Sequence, residues 1–144
     1  MINLQDNSNK KQKSGNGFFF FLAVVFLLFV LFDQLSKFFL KNNFKNYQFA
    51  FSLPLPQVVI FGIYFVILVG MSIYLYSNFL KISKTEQVAW ISILAGAFSN
   101  IGERIFLGYV RDFIYIFSGI FNLADFYIMV GVLILFFSKE RQAK

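Results

Sequence analysis

The sequence predicts an all-α membrane protein with four transmembrane helices. Three observations carry this. Hydrophobic residues make up 58% of the 144-residue chain and charged ones 14%, against roughly 45–50% and about 25% in soluble domains. The apolar residues gather into four stretches, each close to the roughly 20 residues that a helix needs to cross about 30 Å of hydrocarbon. Most basic residues stand at the ends of those stretches, where lysine and arginine set membrane topology. Mean hydropathy is +0.68.

Residues 1–17 are polar, include Lys10, Lys11 and Lys13, and are expected to form a mobile cytoplasmic tail. A single four-span domain covers 18–138, with spans at about 18–40, 58–77, 88–105 and 121–138, and 139–144 form a second tail. The apolar run from Phe18 follows a basic segment, as in a signal peptide. It leads into Asp33-Gln34-Leu35-Ser36-Lys37 with no small-x-small cleavage site, so an uncleaved anchor is expected. The second span follows Pro54 and Pro56, and the third and fourth each carry polar residues at one end. No period-2 alternation is sustained, which argues against a barrel.

An even number of spans puts both termini on one side. Lys10, Lys11, Lys13, Lys81, Lys84, Lys139, Arg141 and Lys144 fall there, and Lys37, Lys41, Lys45, Arg104 and Arg111 on the other. The bias predicts cytoplasmic termini. The net charge of +6 therefore reflects topology. No separate basic face with interleaved aromatics exists, and nucleic acid is not an expected partner.

The chain has no Cys and no His. That excludes disulfides, thiol nucleophiles, Ser-His-Asp catalysis and the usual zinc sites. Any hydrolytic chemistry falls to Asp, Glu, Lys, Ser, Thr or Tyr.

In this topology Asp33, Glu103, Asp112 and Asp125 map near the outer face, while Asp6, Glu86 and Glu140 do not. An ionisable group in a span costs several kcal/mol unless paired or wet, so it marks function by default. Asp33 and Lys37 share a helix face at i, i+4, either as a snorkelling ion pair or as part of a site. Ser36 and Lys37 point about 100° apart, too far for a local Ser-Lys dyad. Asn100, Glu103 and Arg104 form one stripe beside the small residues Ala95, Gly96 and Ala97. That stripe is either a polar seam between helices or a set of hydrogen bonds to a substrate backbone. Asn122 and Asp125 lie one turn apart, and Asp112 sits in the strand-like stretch Val110–Ile114, on a connection short enough to return it to the fourth helix. Taken alone, a mid-span Asp such as Asp125 points more to an ion or proton pathway than to a protease.

Five motifs in order resemble signal peptidase II, the bacterial lipoprotein signal peptidase family. Asp33 to Lys37 match Asp-Gln-x-Ser/Thr-Lys, and Asn46 to Ser52 answer Asn-x-Gly-x-Ala-Phe-Ser. Gly96 to Arg104 answer Gly-Ala-x-x-Asn-x-x-Asp-Arg, Gly108 to Ile114 match Gly-x-Val-x-Asp-Phe-Ile, and Phe121 to Asp125 match Phe-Asn-x-Ala-Asp. Glu103 departs from the family's Asp and Gln48 from its Gly.

The resemblance implies an aspartyl endopeptidase of the bacterial cytoplasmic (inner) membrane, with its site near the outer face. It would act on prolipoproteins that already carry diacylglyceryl on the lipobox cysteine, cutting just before that cysteine. Asp112 and Asp125 correspond to the catalytic aspartates, Asn46, Asn100, Arg104 and Asn122 to positions near them, and Asp33, Lys37 and Glu103 to supporting ones. The loop from Lys41 to Pro56 would form a small extracytoplasmic β-structure over the substrate. Membrane lipids and globomycin-type inhibitors are further expected partners, and a monomer is expected, with no metal and no cofactor. At about 4 Å and an effective dielectric near 20, two carboxylates repel by about 4 kcal/mol, so such a pair shares one proton. Two rival readings are a small transporter or channel subunit using the outer acids, and a non-catalytic binder of lipoprotein precursors.

Overall fold

The computed structural model describes residues 2–40, 43–47, 55–117 and 119–142. Among these, four helices alternate with short strands: α1 Ile2–Phe39, β1 Phe44–Asn46, α2 Gln57–Asn78, α3 Lys84–Leu107, β2 Val110–Asp112, β3 Ile114–Ile116, β4 Gly119–Phe121 and α4 Leu123–Gln142. Two helices are long and apolar enough to cross a membrane, over Gly17–Phe39 and Val58–Asn78, and Leu123–Ser138 is a shorter apolar helix.

The α3 helix is different, and its position explains why. It lies at the centre of the fold, packed chiefly on α4 and α1 and less on α2. Its buried residues include Gln87, Ser92, Ser99, Asn100, Glu103 and Arg104. A helix wrapped by other helices can carry polar groups inward and need not be apolar all round.

Helix ends differ from the expected spans for identifiable reasons. The α1 helix begins at Ile2 and continues into the polar segment expected as a tail. The α3 helix starts before residue 88 because Ser83 and Glu86 form a capping box: Ser83 Oγ accepts from the Glu86 N–H at 3.2 Å, and Glu86 Oε2 accepts from the Ser83 N–H at 2.7 Å. It ends at Gly108, whose φ of 81° returns an N–H to the Arg104 carbonyl, a left-handed cap that glycine adopts without strain. The α4 helix starts at Leu123, because Phe121 is held in β4.

The α3–α4 contact is close because glycines line it. A Cβ at Gly96 would collide with the Ala124 carbonyl and Ile128, and one at Gly131 with the Ala89 carbonyl and Ile93. Small residues that let backbones approach are the usual device between membrane helices.

Two small antiparallel sheets sit between the helices. β1 pairs with β2 in the register Phe44↔Asp112, Lys45↔Arg111 and Asn46↔Val110. β3 pairs with β4, Ile114 opposite Phe121. β1 lies in the loop expected to be β-structured; most of the rest of that loop, Gln48 included, lies outside the described residues.

Candidate active site

The site is built where β1, β2, the start of α4 and the ends of α1 and α3 converge. Asp112 closes β2 and is buried. In the β1–β2 register Asn46 and Asp112 are diagonal neighbours on one face, and the Asn46 amide donates to Asp112 Oδ2 at 2.9 Å. The Asn122 amide donates to Asp112 Oδ1 at 2.6 Å.

Asn122 also begins α4. Its Oδ1 accepts from the Asp125 N–H at 3.1 Å, and its own backbone N–H donates to Asp125 Oδ2, also at 3.1 Å. This reciprocal pair is a capping box made with Asn and Asp. One residue thus ends the connection from α3, starts the helix and joins the two aspartates. Asp112 and Asp125 are near enough for their charges to interact.

Burial pushes the Asp112 carboxyl up from its ordinary value. The Asn46 and Asn122 amides pull it back down, as do the charges of Lys37 and Arg104, but burial prevails. A carboxyl so placed holds a proton more readily than one in water.

Behind the pair lies a second layer. On α3, Asn100 Nδ2 donates to Asp125 Oδ1 at 2.9 Å, and Asn100 Oδ1 accepts from Lys37 Nζ at 3.0 Å. Lys37 also lies 2.7 Å from Asp33 Oδ2 and 3.1 Å from Glu103 Oε2. Asp33 accepts from Ser99 Oγ at 2.6 Å and from the Ala124 N–H at 2.9 Å, tying α1 and α3 to the first turn of α4. Glu103 accepts from the Arg111 backbone N–H at 3.0 Å and from its Nε. The Arg111 fork reaches Gln34 Oε1 at 3.2 Å, and Gln34 Nε2 donates to Ser99 Oγ at 2.8 Å. Asp33, Lys37, Glu103 and Arg111 therefore form a chain of alternating charge.

Several expectations change in this light. Asp33 and Lys37 do not snorkel: they are 0% and 1% exposed. Lys37 points inward because Asn100 and Glu103 on α3 add acceptors that bulk water would otherwise supply. Glu103 turns to Lys37 and Arg111. Arg104 is buried and lies over the Tyr64 ring, 5.5 Å from its centroid. Asn100 faces Asp125 and Lys37.

Gln34, Ser99, Arg111 and the Ala124 N–H were not singled out from sequence, although all four fall inside the quoted motifs. Tyr64 carried no signal, being one of three tyrosines, with Tyr74 and Tyr76, in an apolar run. Among the described residues no three carboxylates stand together as a metal site would need.

A mostly helical membrane protein whose short strands and helix starts bring two aspartates together has the form of an aspartic-type membrane enzyme. The chain belongs to the signal peptidase II family: the family model for signal peptidase (SPase) II matches residues 24–139. It is 31% identical to a lipoprotein signal peptidase of Fusobacterium nucleatum, covering 83% of this chain and 89% of that relative. A lipoprotein signal peptidase of Streptococcus pyogenes serotype M5 is 30% identical, covering 76% of this chain and 86% of the relative.

Two solved bacterial membrane enzymes share the fold. One, determined in meso at 2.3 Å resolution, superposes with a TM-score of 0.73 at 22% identity, covering 85% of this chain and 89% of its own. The other, determined at 1.9 Å, gives a TM-score of 0.65 at 24% identity, covering 81% and 90%.

Proposed function

We propose that this protein removes signal peptides from diacylglyceryl-modified prolipoproteins by cutting just before the lipidated cysteine, with Asp112 and Asp125 as the catalytic pair. The observation that carries the assignment is the bridge through Asn122, which holds one carboxylate through its side chain and the other through a capping box. The remaining acids at this end, Asp33 and Glu103, are engaged by cations.

In this reading a water lies between the aspartates. The ionised one takes a proton from the water as its oxygen bonds to the scissile carbonyl carbon, and the protonated one gives its proton to the carbonyl oxygen. Collapse of the diol breaks the C–N bond, and the departing amine takes up a proton from the pair. The resting proton belongs to the pair as a unit.

The proposed setting is a bacterial inner membrane crossed four times, with both termini cytoplasmic and the site near the outer face. The two longest apolar segments support this, as does the paired strand β1–β2 beyond the ends of α1 and α3. Exposed side chains such as Phe20, Leu27, Val58 and Phe65 would face lipid and the substrate's acyl chains. A monomer and inhibition by globomycin-type compounds are part of the proposal. Asp33, Glu103, Asp112 and Asp125 collect at one end of the helices and do not form a file across them, which argues against a proton or cation path.

The test is cleavage of a lipidated precursor and its unlipidated form by the purified protein in vesicles, followed by gel shift with and without globomycin. Selective, globomycin-sensitive cleavage of the lipidated form is expected. No cleavage of either form would overturn the proposal.

A further inference from the structure

We infer that Lys37 is a positioning residue that acts through Asn100 to hold the Asp125 carboxylate in one orientation. This rests on the assignment of Asp125 to the catalytic pair. The side-chain amide of an asparagine is ambivalent: turned over, it exchanges a donor for an acceptor. At Asn100 that exchange would matter, because one end of the amide faces Asp125 Oδ1 at 2.9 Å. The other end faces an ammonium group at 3.0 Å.

An ammonium has three donors and no acceptor. Facing it, Asn100 must present oxygen, and its Nδ2 must then face Asp125. Turning the amide over would set N–H against ammonium and oxygen against carboxylate, so both contacts would become repulsive.

Lys37 is itself unable to turn away. Its three protons meet Asp33 Oδ2, Glu103 Oε2 and Asn100 Oδ1. At 1% exposure, no bulk water competes for them. Asp33 is fixed in turn by Ser99 and the Ala124 N–H. The ordering runs from the start of α4 through α1 to α3 and back to Asp125 on α4. With the Asn122 N–H at Oδ2 and Asn100 at Oδ1, both oxygens of Asp125 are aimed.

The experiment measures kcat and KM on a lipidated precursor for wild type, Lys37→Met, Asn100→Ala and the double variant. Misplacement of a reacting group by about 1 Å costs on the order of 100-fold. Lys37→Met is expected to lower kcat by about 10- to 100-fold with KM within about twofold. The Lys37→Met/Asn100→Ala double variant is expected to fall little below the worse single variant, because the two act in series.

Removing one buried charge invites unfolding, so the charge-balanced Lys37→Met/Glu103→Gln variant is measured beside it, with thermal unfolding of each. It is expected to fold and to show the same loss of kcat. The inference is overturned by wild-type kcat in either folded Lys37 variant, by a loss that multiplies with that of Asn100→Ala, by a loss carried in KM, or by failure of both Lys37 variants to fold. Failure of the underlying dyad reads differently: the wild type does not cleave, or Asp125→Asn cleaves at the wild-type rate.

Discussion

The Asn122 amide donates to Asp112 Oδ1 at 2.6 Å, while the same side chain caps the helix that carries Asp125. A change of charge at either aspartate should therefore leave the scaffold in place and remove only the chemistry. Asp112→Asn and Asp125→Asn are each expected to lower cleavage of a lipidated precursor by at least about 1,000-fold, taking general acid–base catalysis as worth up to about 10,000-fold. Abundance in the membrane should stay near that of wild type. Gel shift and immunoblot of the same vesicles measure both, and full cleavage by a well-expressed variant would remove that residue from the pair.

Much of this arrangement was legible in the sequence. Hydrophobic runs located the helices, and the spacing of Asn122 and Asp125 put them on one face. The family motifs pointed to Asp112 beside them. What the sequence could not convey is which partner each charge takes. Lys37 could be read as a snorkelling helix-end lysine or as part of a site, and its partners Asn100 and Glu103, 63 and 66 residues away on α3, decide for an inward position. Local spacing predicts contacts along one helix and is silent about those between helices. Tyr64 was invisible for the same reason: only the packing of α2 brings it to Arg104. The third helix shows the converse, for its polar residues make sense only once it is known to be enclosed.

Asn46→Ala tests the protonation of Asp112. The Asn46 hydrogen bond lowers the pKa of Asp112 against the upward push of burial. Removing it favours the protonated form, so the proton is lost at higher pH. If Asp112 supplies the acid, the basic limb of the kcat/KM profile moves to higher pH in the variant, with the charges of Lys37 and Arg104 unchanged. A limb that stays in place, or moves to lower pH, would assign that limb elsewhere.

The α3–α4 seam makes a prediction that depends on position alone. Gly96→Ala and Gly131→Ala each force a methyl group into backbone and isoleucine side chain, and each is expected to destabilise by about 1–3 kcal/mol. Gly70→Ala, with nothing within 4 Å, is expected to be neutral or slightly stabilising, since glycine within a helix costs roughly 0.5–1 kcal/mol relative to alanine. Thermal unfolding in detergent compares the three; equal effects would deny the close approach.

Asp33→Asn should be felt as stability. Three donors converge on this buried carboxylate, and an amide there would turn an N–H toward at least one of them. Breaking a buried ion pair from one side costs about 3–5 kcal/mol. A large fall in unfolding temperature is expected, with residual activity in whatever protein remains folded. An unchanged unfolding temperature would mean that Lys37 and the start of α4 are held without it.

The alternation of Asp33, Lys37, Glu103 and Arg111 has a consequence for work done by voltage. A potential of 100 mV acts on each elementary charge moved across a membrane with about 2.3 kcal/mol. Two anions interleaved with two cations present no net charge to that field, so polarising or collapsing it gives little force by which to shift α1 against α3. Proteolysis by this protein should then run equally well in energised cells and in inert vesicles, drawing on the free energy of peptide hydrolysis alone.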